Sequence, residues 1–423
     1  MARHAVSARP PAWTAADAER WLLGRELFGM RFGLERMREL LAALGDPQER
    51  FASVHVVGTN GKSSTVRMTA AILRRHGLRV GAYLSPHLVS FAERIRVDDA
   101  DLAPERLAAC VERVARVAER LDAGDDDHVT QFEALTAAAL SELAEQRVDA
   151  AVIEAGLGGR LDATNVLPSR VQVLTNVGLE HTRWLGSTVR EIATEKLDVV
   201  RPGGTLVLGP DPAPDALDVA RRVAAERGAT LLVAPLAPAE PYAALLPAYQ
   251  RRNFAVAIAA ARAFLGELDE GAVADAAAHA AVPGRLQVVD EQLVLDGAHN
   301  AAGLEALAQA LPELAGERPV VGVVSILDDK DTEAMLRTLL EACEQIVFCR
   351  IANPRALSPA ALASLAVELG APRGSVHIED GARAAVDLAR TLAGPDGIVL
   401  ATGSFYLLAD LLRPAGAEPG ATL

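Results

Sequence analysis

Lysine is conspicuously scarce in this chain of 423 residues. The 42 basic side chains include only three lysines, Lys62, Lys196 and Lys330, and arginine supplies the rest. Arginine stays protonated in proteins, so it cannot form a carbamate, and it does not act as a compact point charge on a phosphate. We therefore treat the lysines, Lys62 and Lys196 first, as candidates for chemistry that arginine cannot perform.

Cysteine, long apolar runs and excess positive charge are also lacking. Three scattered cysteines, Cys110, Cys343 and Cys349, exclude a disulfide scaffold and a Cys-rich metal site. No apolar run approaches the roughly 20 residues of a membrane helix, and the first residues lack the apolar core of a signal peptide. The formal charge of −14 argues against a nucleic-acid-binding protein. We expect a cytoplasmic protein with neither nucleic acid nor membrane as a partner.

Half of the residues are apolar and 23% are charged, which is typical of globular domains. Helices in 14–45 precede two series in which short β-rich runs alternate with helical patterns, as in parallel sheets covered by helices. The predicted strands are 53–57, 79–84, 148–154, 171–177, 204–208, 286–289, 292–296, 319–325, 345–349, 375–378 and 397–402. Pro283 and Gly284 stand between the series and predict a hinge. The sequence thus predicts two α/β domains, 1–282 and 285–423.

The most specific motif is a glycine-rich run between a predicted strand and a predicted helix. It consists of Gly58, Thr59, Asn60, Gly61, Lys62, Ser63 and Ser64. Glycines let the backbone wrap a phosphate, helix N-terminal amides point at the anion, and lysine neutralises the outer phosphates. Val56 replaces the first glycine of the longer pattern, so only the short form GTxGKx[ST] is met. The run predicts an ATP phosphate site.

Polar side chains follow three predicted strands of the first series: Ser85, Glu154 and His181. Open α/β sheets bind ligands at these strand ends. A hydroxyl, a carboxylate and an imidazole can hold a hard cation, although histidine is unusual for Mg²⁺. Beside a phosphate loop the three together indicate a metal site, to which the hydroxyl of Ser64 can add.

Lys196 lies on the predicted helix that follows His181. Thr188 and Glu191 fit a capping box, so this helix is expected to begin near Val189 and to carry Lys196 two turns in. A free lysine beside Mg²⁺ would repel the ion, whereas carbamylation by CO₂ makes the side chain negative. We expect a carbamylated lysine; a surface lysine is the alternative.

The second series also has polar strand ends, at 296–300, 328–331 and 402–404. The second domain is therefore expected to turn its ligand face toward the first. Arg285 at the hinge can reach a phosphate across the cleft, and Asp296 can bind ribose hydroxyls.

With these motifs assembled, the chain resembles the folylpolyglutamate synthase/dihydrofolate synthase family, a branch of the Mur ligase superfamily. The matching runs are GTNGKSS, YLSPHLVSFAERIRVDD, EAGLGGRLDATN, GLEHT, EIATEK, YQRRN, PGRL, LDGAHN, DDKD and ATGSFYL. The resemblance implies an ATPase domain with a parallel sheet and a phosphate loop, of the Mur ligase central-domain type, followed by a smaller Rossmann-like glutamate-ligase domain.

The implied activity is an ATP-dependent amide ligase. ATP phosphorylates a carboxylate of 7,8-dihydropteroate or a folate, and the amine of L-glutamate attacks the acyl phosphate. The implied cofactors and partners are ATP, Mg²⁺, a carbamylated Lys196 and small-molecule substrates; a monovalent cation is allowed, and the resemblance favours a monomer.

The resemblance also implies roles for particular residues. The catalytic residues are Lys62, Lys196, His181 and His299. ATP is bound by Gly58 to Ser64, Asn253, Arg285 and Asp296, and the metal by Ser85, Glu154, His181 and Ser64. The substrate-binding residues are Thr130, Gln131, Phe132, Glu133, Leu161, Asp162, Ala163 and Ser404. Lys330 receives no role.

Two departures bear on the site. Ser63 stands where the family usually has glycine, which is harmless only if φ is negative there. Glu180 stands where aspartate is usual. The alternatives left open are a synthase that lacks the dihydrofolate step, another Mur-type ligase or a P-loop ATPase, and an inactive nucleotide-binding relative.

Overall fold

The computed structural model describes residues 12–26, 33–123, 128–242 and 244–414. Those residues form an eight-stranded and a six-stranded sheet, each flanked by helices. None of the described helices is long and apolar enough to cross a membrane. The predicted α/β fold class is confirmed.

The first sheet has the strand that precedes the glycine-rich loop near its centre. Its strands are β1 Ala52–Val57, β2 Val80–Tyr83, β3 Ile95–Val97, β4 Ala100–Asp101, β5 Ala150–Glu154, β6 Val171–Leu174, β7 Thr205–Leu208 and β8 Thr230–Val233. The order is β4-β3-β2-β5-β1-β6-β7-β8. The pairs β2–β3 and β3–β4 are antiparallel, and the other neighbouring strands are parallel. The carboxyl ends of β1, β2, β5 and β6 therefore share one edge, which gathers the polar strand ends.

The second sheet is smaller and also mostly parallel. Its strands are β9 Gln287–Val288, β10 Leu293–Leu295, β11 Val320–Val324, β12 Gln345–Cys349, β13 Val376–Glu379 and β14 Ile398–Thr402. The order is β13-β12-β11-β14-β10-β9, with β9 antiparallel at the edge.

Helices follow most strands. They are α1 Ala15–Leu23, α2 Glu35–Ala43, α3 Lys62–Arg75, α4 Pro104–Asp122, α5 Gln131–Glu145, α6 Thr182–Leu185, α7 Val189–Leu197, α8 Pro214–Arg227, α9 Ala248–Leu265, α10 Glu270–Ala278, α11 Ala301–Ala315, α12 Thr332–Ala342, α13 Pro359–Glu368, α14 Ala382–Ala393 and α15 Phe405–Leu412. The central strands of the first sheet are buried on both faces. On one face Val54 and Val56 pack with α3 and α9, and on the other Ile153 packs with α4 and α5.

Most predicted elements are present with small shifts at their ends, and α7 begins at Val189 as its capping box predicted. The sequence pattern did not predict β3, β4, β8 or the helices α6 and α8 to α10. β8 is a short apolar run, TLLV, that lies mostly exposed at the edge of the sheet. The part of the predicted N-terminal helical region at 27–32 lies outside the described residues.

Candidate active site

A cavity of about 510 Å³ lies where the polar strand ends of the two sheets face each other. The phosphate loop, Glu154 and Lys196 line one wall, and Arg285 and His299 line the other. All of the predicted site residues line this cavity except Ser64, Asn253 and Asp296. Residues far apart in sequence therefore meet at one place.

The glycines of the loop are required by close contacts. Gly58 has φ +153° and Gly61 has φ +81°, and a Cβ at Gly61 would lie 2.3 Å from Oδ1 of Asn253. This places Asn253, on α9, directly behind the loop. Lys62 Nζ donates to the carbonyl oxygens of Gly58 and Thr59 at 3.2 Å each, so the ammonium group lies within the loop.

Ser63 lies in the first turn of α3, and its φ is not positive. The serine therefore carries no backbone strain, as expected for a helix start. Its Oγ donates to Oε1 of Glu154 at 2.9 Å. The neighbouring Ser64 Oγ is buried and has no hydrogen-bond partner among the described residues.

Glu154 ends β5 at the wall of the cavity and is almost fully buried. The backbone N–H of Ser85 donates to its Oε2 at 3.1 Å. Burial raises the pKa of Glu154 to about 7, and the positive charge of Lys62 limits the rise. This carboxylate is costly to keep ionised without a cation.

His181 has φ +51° and precedes the short helix α6. Burial lowers the pKa of its imidazole, although Glu180 opposes this. The side chain is therefore mainly neutral near pH 7, the form in which histidine binds metals.

The residues present fit a magnesium–nucleotide site better than an all-protein metal site. Among the described residues no cluster of three or more His, Cys, Asp or Glu side chains is arranged to hold a metal ion. Mg²⁺ usually takes one or two carboxylates, several waters and the phosphates of its substrate. Glu154 and the unpartnered Ser64 hydroxyl fit such a site.

Lys196 is buried on α7 and points at the phosphate loop. Its Nζ donates to the carbonyl oxygen of Gly58 at 2.9 Å. Burial first, and then the charge of Lys62, lowers the pKa of Lys196 to about 7. A substantial fraction of the amine is thus neutral at physiological pH.

The second sheet contributes the opposite wall. Arg285 stacks on the ring of Phe405, 4.7 Å from its centroid. Asn300 and Asn60 exchange side-chain hydrogen bonds of 3.0 and 3.3 Å across the cleft. Asp296 is buried and accepts hydrogen bonds from the Tyr249 hydroxyl and from the backbone N–H groups of Leu286 and Ala298.

The predicted substrate residues also line the cavity. Thr130 and Glu133 form the capping box that begins α5, and Glu133 pairs with Arg36 at 2.9 Å. Gly156 leaves room for the ring of Phe132, since a Cβ there would lie 2.5 Å from it. The remaining predicted members there are Gln131, Leu161, Asp162 and Ala163. Ser404 caps α15 on the second wall.

Glu180 and Lys330 form an ion pair across the cleft that the sequence analysis did not predict. Lys330 Nζ lies 3.2 Å from Oε1 of Glu180, and His299 Nε2 lies 3.5 Å from the same oxygen. Burial opposes ionisation of Glu180, but the His299 hydrogen bond and the charge of Lys330 hold its pKa below the usual range. The scarcity of lysine and the polar strand end at 328–331 were the sequence signals that pointed to Lys330.

Two family models match the chain. The Mur ligase middle domain matches residues 56–213, and the Mur ligase glutamate ligase domain matches residues 284–405. Together with the fold and the cavity, they define an ATP-dependent ligase of the Mur type.

Individual relatives narrow this class. Dihydrofolate synthase/folylpolyglutamate synthase of Bacillus subtilis is 33% identical over 94% of this chain and 98% of its own length. Mycobacterium tuberculosis folylpolyglutamate synthase complexed with ADP has 30% identity and a TM-score of 0.86, covering 96% of this chain and 99% of that chain. E. coli FolC in complex with DHPP and ADP has 30% identity and a TM-score of 0.82, covering 95% of this chain and 97% of that chain. The chain belongs to the dihydrofolate synthase/folylpolyglutamate synthase family.

Proposed function

We propose that this chain adds L-glutamate both to 7,8-dihydropteroate and to tetrahydrofolates, using ATP. The observation that carries the proposal is that the phosphate loop and Glu154 face Arg285 and His299 of the second sheet across one shared cavity. Such a cleft holds two substrates and a nucleotide together and excludes water. We also propose that the two domains meet at Pro283–Gly284, where Gly284 has φ +65°.

The chemistry proposed for the cavity has two steps. The substrate carboxylate attacks the γ-phosphorus of ATP and ADP leaves, which gives an acyl phosphate. The amine of glutamate then attacks the acyl carbon, loses a proton and expels inorganic phosphate. Lys62 and the loop amides balance charge on the transferring phosphoryl group, and Arg285 neutralises phosphate from the opposite wall.

Mg²⁺ would be held by Glu154, Ser64, Ser85 and His181, and when bound it would supply charge neutralisation for the phosphates. Lys196 is proposed to be carbamylated: its neutral amine attacks CO₂, forms an N–C bond and releases a proton. The depressed pKa of Lys196, about 7, and its burial beside Gly58 support this assignment. His299 and Ser404 are proposed to contact glutamate.

The proposed function predicts which acceptors drive phosphate release. Release from MgATP with L-glutamate should occur with 7,8-dihydropteroate and with tetrahydrofolate, and should stop when glutamate is omitted. Release with tetrahydrofolate alone would identify a folylpolyglutamate synthase without the dihydrofolate step. Steady release without any acceptor would contradict ligase function and favour a P-loop ATPase.

Ser63→Ala is predicted to weaken the Mg²⁺ site. The substitution removes the hydroxyl that donates to Oε1 of Glu154 at 2.9 Å, while alanine keeps the helix. Loss of such a supporting contact should raise the Mg²⁺ concentration for half-maximal phosphate release roughly tenfold. Ser63→Thr, which keeps a hydroxyl, is the matched control. An unchanged Mg²⁺ requirement in Ser63→Ala would show that the contact has no role.

A further inference from the structure

A second cavity, of about 260 Å³, lies outside the active site. It is enclosed by residues 67–75 of α3, the strands β2 and β3, Asp99 and residues 279–281, and it shares no lining residue with the active-site cavity. Four arginines line it: Arg67, Arg74, Arg75 and Arg96. We call this group the arginine pocket. So dense a cluster of positive charge is unexpected in a chain of formal charge −14.

The carboxylates around the arginine pocket do not account for all of its arginines. Asp99 pairs with Arg74 at 2.9 Å and with Arg75 at 3.1 Å. Arg75 also pairs with Asp275, and Arg96 pairs with Asp101.

Arg67 is the exception. Across the described ranges its guanidinium makes no hydrogen bond and no ion pair. Its nearest negative charges act only at longer range. The guanidinium of Arg67 is therefore partly buried, and its N–H groups donate no hydrogen bond to the described residues.

Arg67 and Arg96 also repel each other. Burial lowers the pKa of Arg96 to about 10, and the charge of Arg67 contributes to that shift. Burial lowers the pKa of Arg67 as well. Two like charges held close together in a partly desolvated cavity cost free energy unless an anion lies between them.

The walls leave space for such an anion. The positions between the arginines are small residues, Ala70 and Ala71 on α3 and Ala82 on β2, so the cavity is not filled by side chains. The guanidinium groups come from two turns of α3 and from a strand, which gives donors from several directions. A tetrahedral oxyanion matches that arrangement, because it accepts hydrogen bonds on all sides and pairs with arginine through two bonds at once.

We propose that the arginine pocket binds a phosphate-class oxyanion, either inorganic phosphate or the phosphate of a phosphomonoester. The anion would be held chiefly by Arg67, with Arg96 beside it; Arg96 also donates to Asp101 and to the backbone carbonyl oxygen of Asp99. The anion would also join α3, which begins at the phosphate loop, to the segment that leads into Pro283.

Calorimetric titration tests the proposal after the active site has been filled. The protein is first saturated with Mg²⁺ and AMPPCP, so that the phosphate loop is occupied, and is then titrated with inorganic phosphate against a chloride titration of equal ionic strength. We expect one further phosphate per chain. Arg67→Gln should weaken this uptake roughly tenfold or more, since one charge-assisted contact is lost.

Arg221→Gln is the control, because Arg221 is an exposed arginine on α8 and the change in charge is the same. It should bind phosphate as the unaltered protein does. Binding of AMPPCP reports that each variant is folded, and if Arg67→Gln fails this check, Arg96→Gln decides the question.

A phosphomonoester, phenyl phosphate, is titrated in parallel. Uptake of inorganic phosphate alone would assign the pocket to the free ion, and tighter uptake of phenyl phosphate would assign it to an ester. No uptake of either by the unaltered protein, or equal uptake by Arg67→Gln, would overturn the proposal.

Discussion

Lys196→Ala is expected to abolish glutamate ligation while leaving nucleotide binding nearly unchanged. The side chain is buried next to the phosphate loop and contacts the carbonyl oxygen of Gly58, so alanine removes a functional group from the wall of the cavity. Loss of a preorganised electrostatic group of this kind typically lowers kcat by about 10² to 10³. The measurement is phosphate release with tetrahydrofolate and glutamate, beside calorimetric titration with ADP.

Lys196→Arg separates the carbamate from a simple positive charge. Arginine keeps the cation but cannot react with CO₂, so it should be as inactive as alanine. Carbamylation itself is followed with ¹³C-labelled CO₂, whose protein-bound carbonyl signal should be absent from both variants. At fixed CO₂ pressure the signal should grow as the pH rises through about 7, because the neutral amine is the reacting form. Full ligation by Lys196→Arg would contradict the carbamate assignment.

The parts of this molecule that could be predicted from sequence are those set by local patterns. β1 is rich in valine and is buried over almost its whole length, and it leads into a loop whose two glycines have positive φ. The start of α7 followed from one capping box. Because parallel strands end at one edge of the sheet, the approach of Glu154 to Ser85 could also be foreseen.

Other features depend on which distant segments meet, and local patterns do not give that pairing. Glu180 and Lys330 stand 150 residues apart and meet only because the second sheet faces the first. Arg67 looks like an ordinary surface residue of an amphipathic helix, and its place in a cavity depends on β3 and on 279–281. Asp296 was predicted to bind ribose, and its buried hydrogen bonds to Tyr249 and Leu286 are set by packing that the sequence does not display.

Glu154→Gln is expected to lower activity and to raise stability at the same time. The change removes the one carboxylate proposed to bind Mg²⁺ while keeping the size of the side chain. Activity with MgATP should fall by about 10² to 10³, and the Mg²⁺ requirement should rise. Glu226→Gln, the same change at an exposed position on α8, should leave the activity and the Mg²⁺ requirement unaffected.

The expected gain in stability follows from the pKa of Glu154, which burial raises from 4.5 to about 7. A carboxyl group that holds its proton more tightly in the folded state destabilises the fold as the pH rises from 4.5 to 7, and the penalty is constant above that range. A pKa shift of this size corresponds to a destabilisation of roughly 3 kcal/mol. The neutral amide of glutamine avoids this cost. One of its N–H groups, however, faces the donors that now contact the carboxylate, Ser63 Oγ and the backbone N–H of Ser85, and this offsets part of the gain. In Mg²⁺-free buffer at pH 8 the Tm of Glu154→Gln should therefore equal or exceed that of the unaltered protein. At pH 4 the advantage should vanish. A lower Tm at pH 8 together with lost activity would mean that Glu154 maintains the fold. A higher Tm with lost activity would show that the charge of Glu154 serves function and lowers stability.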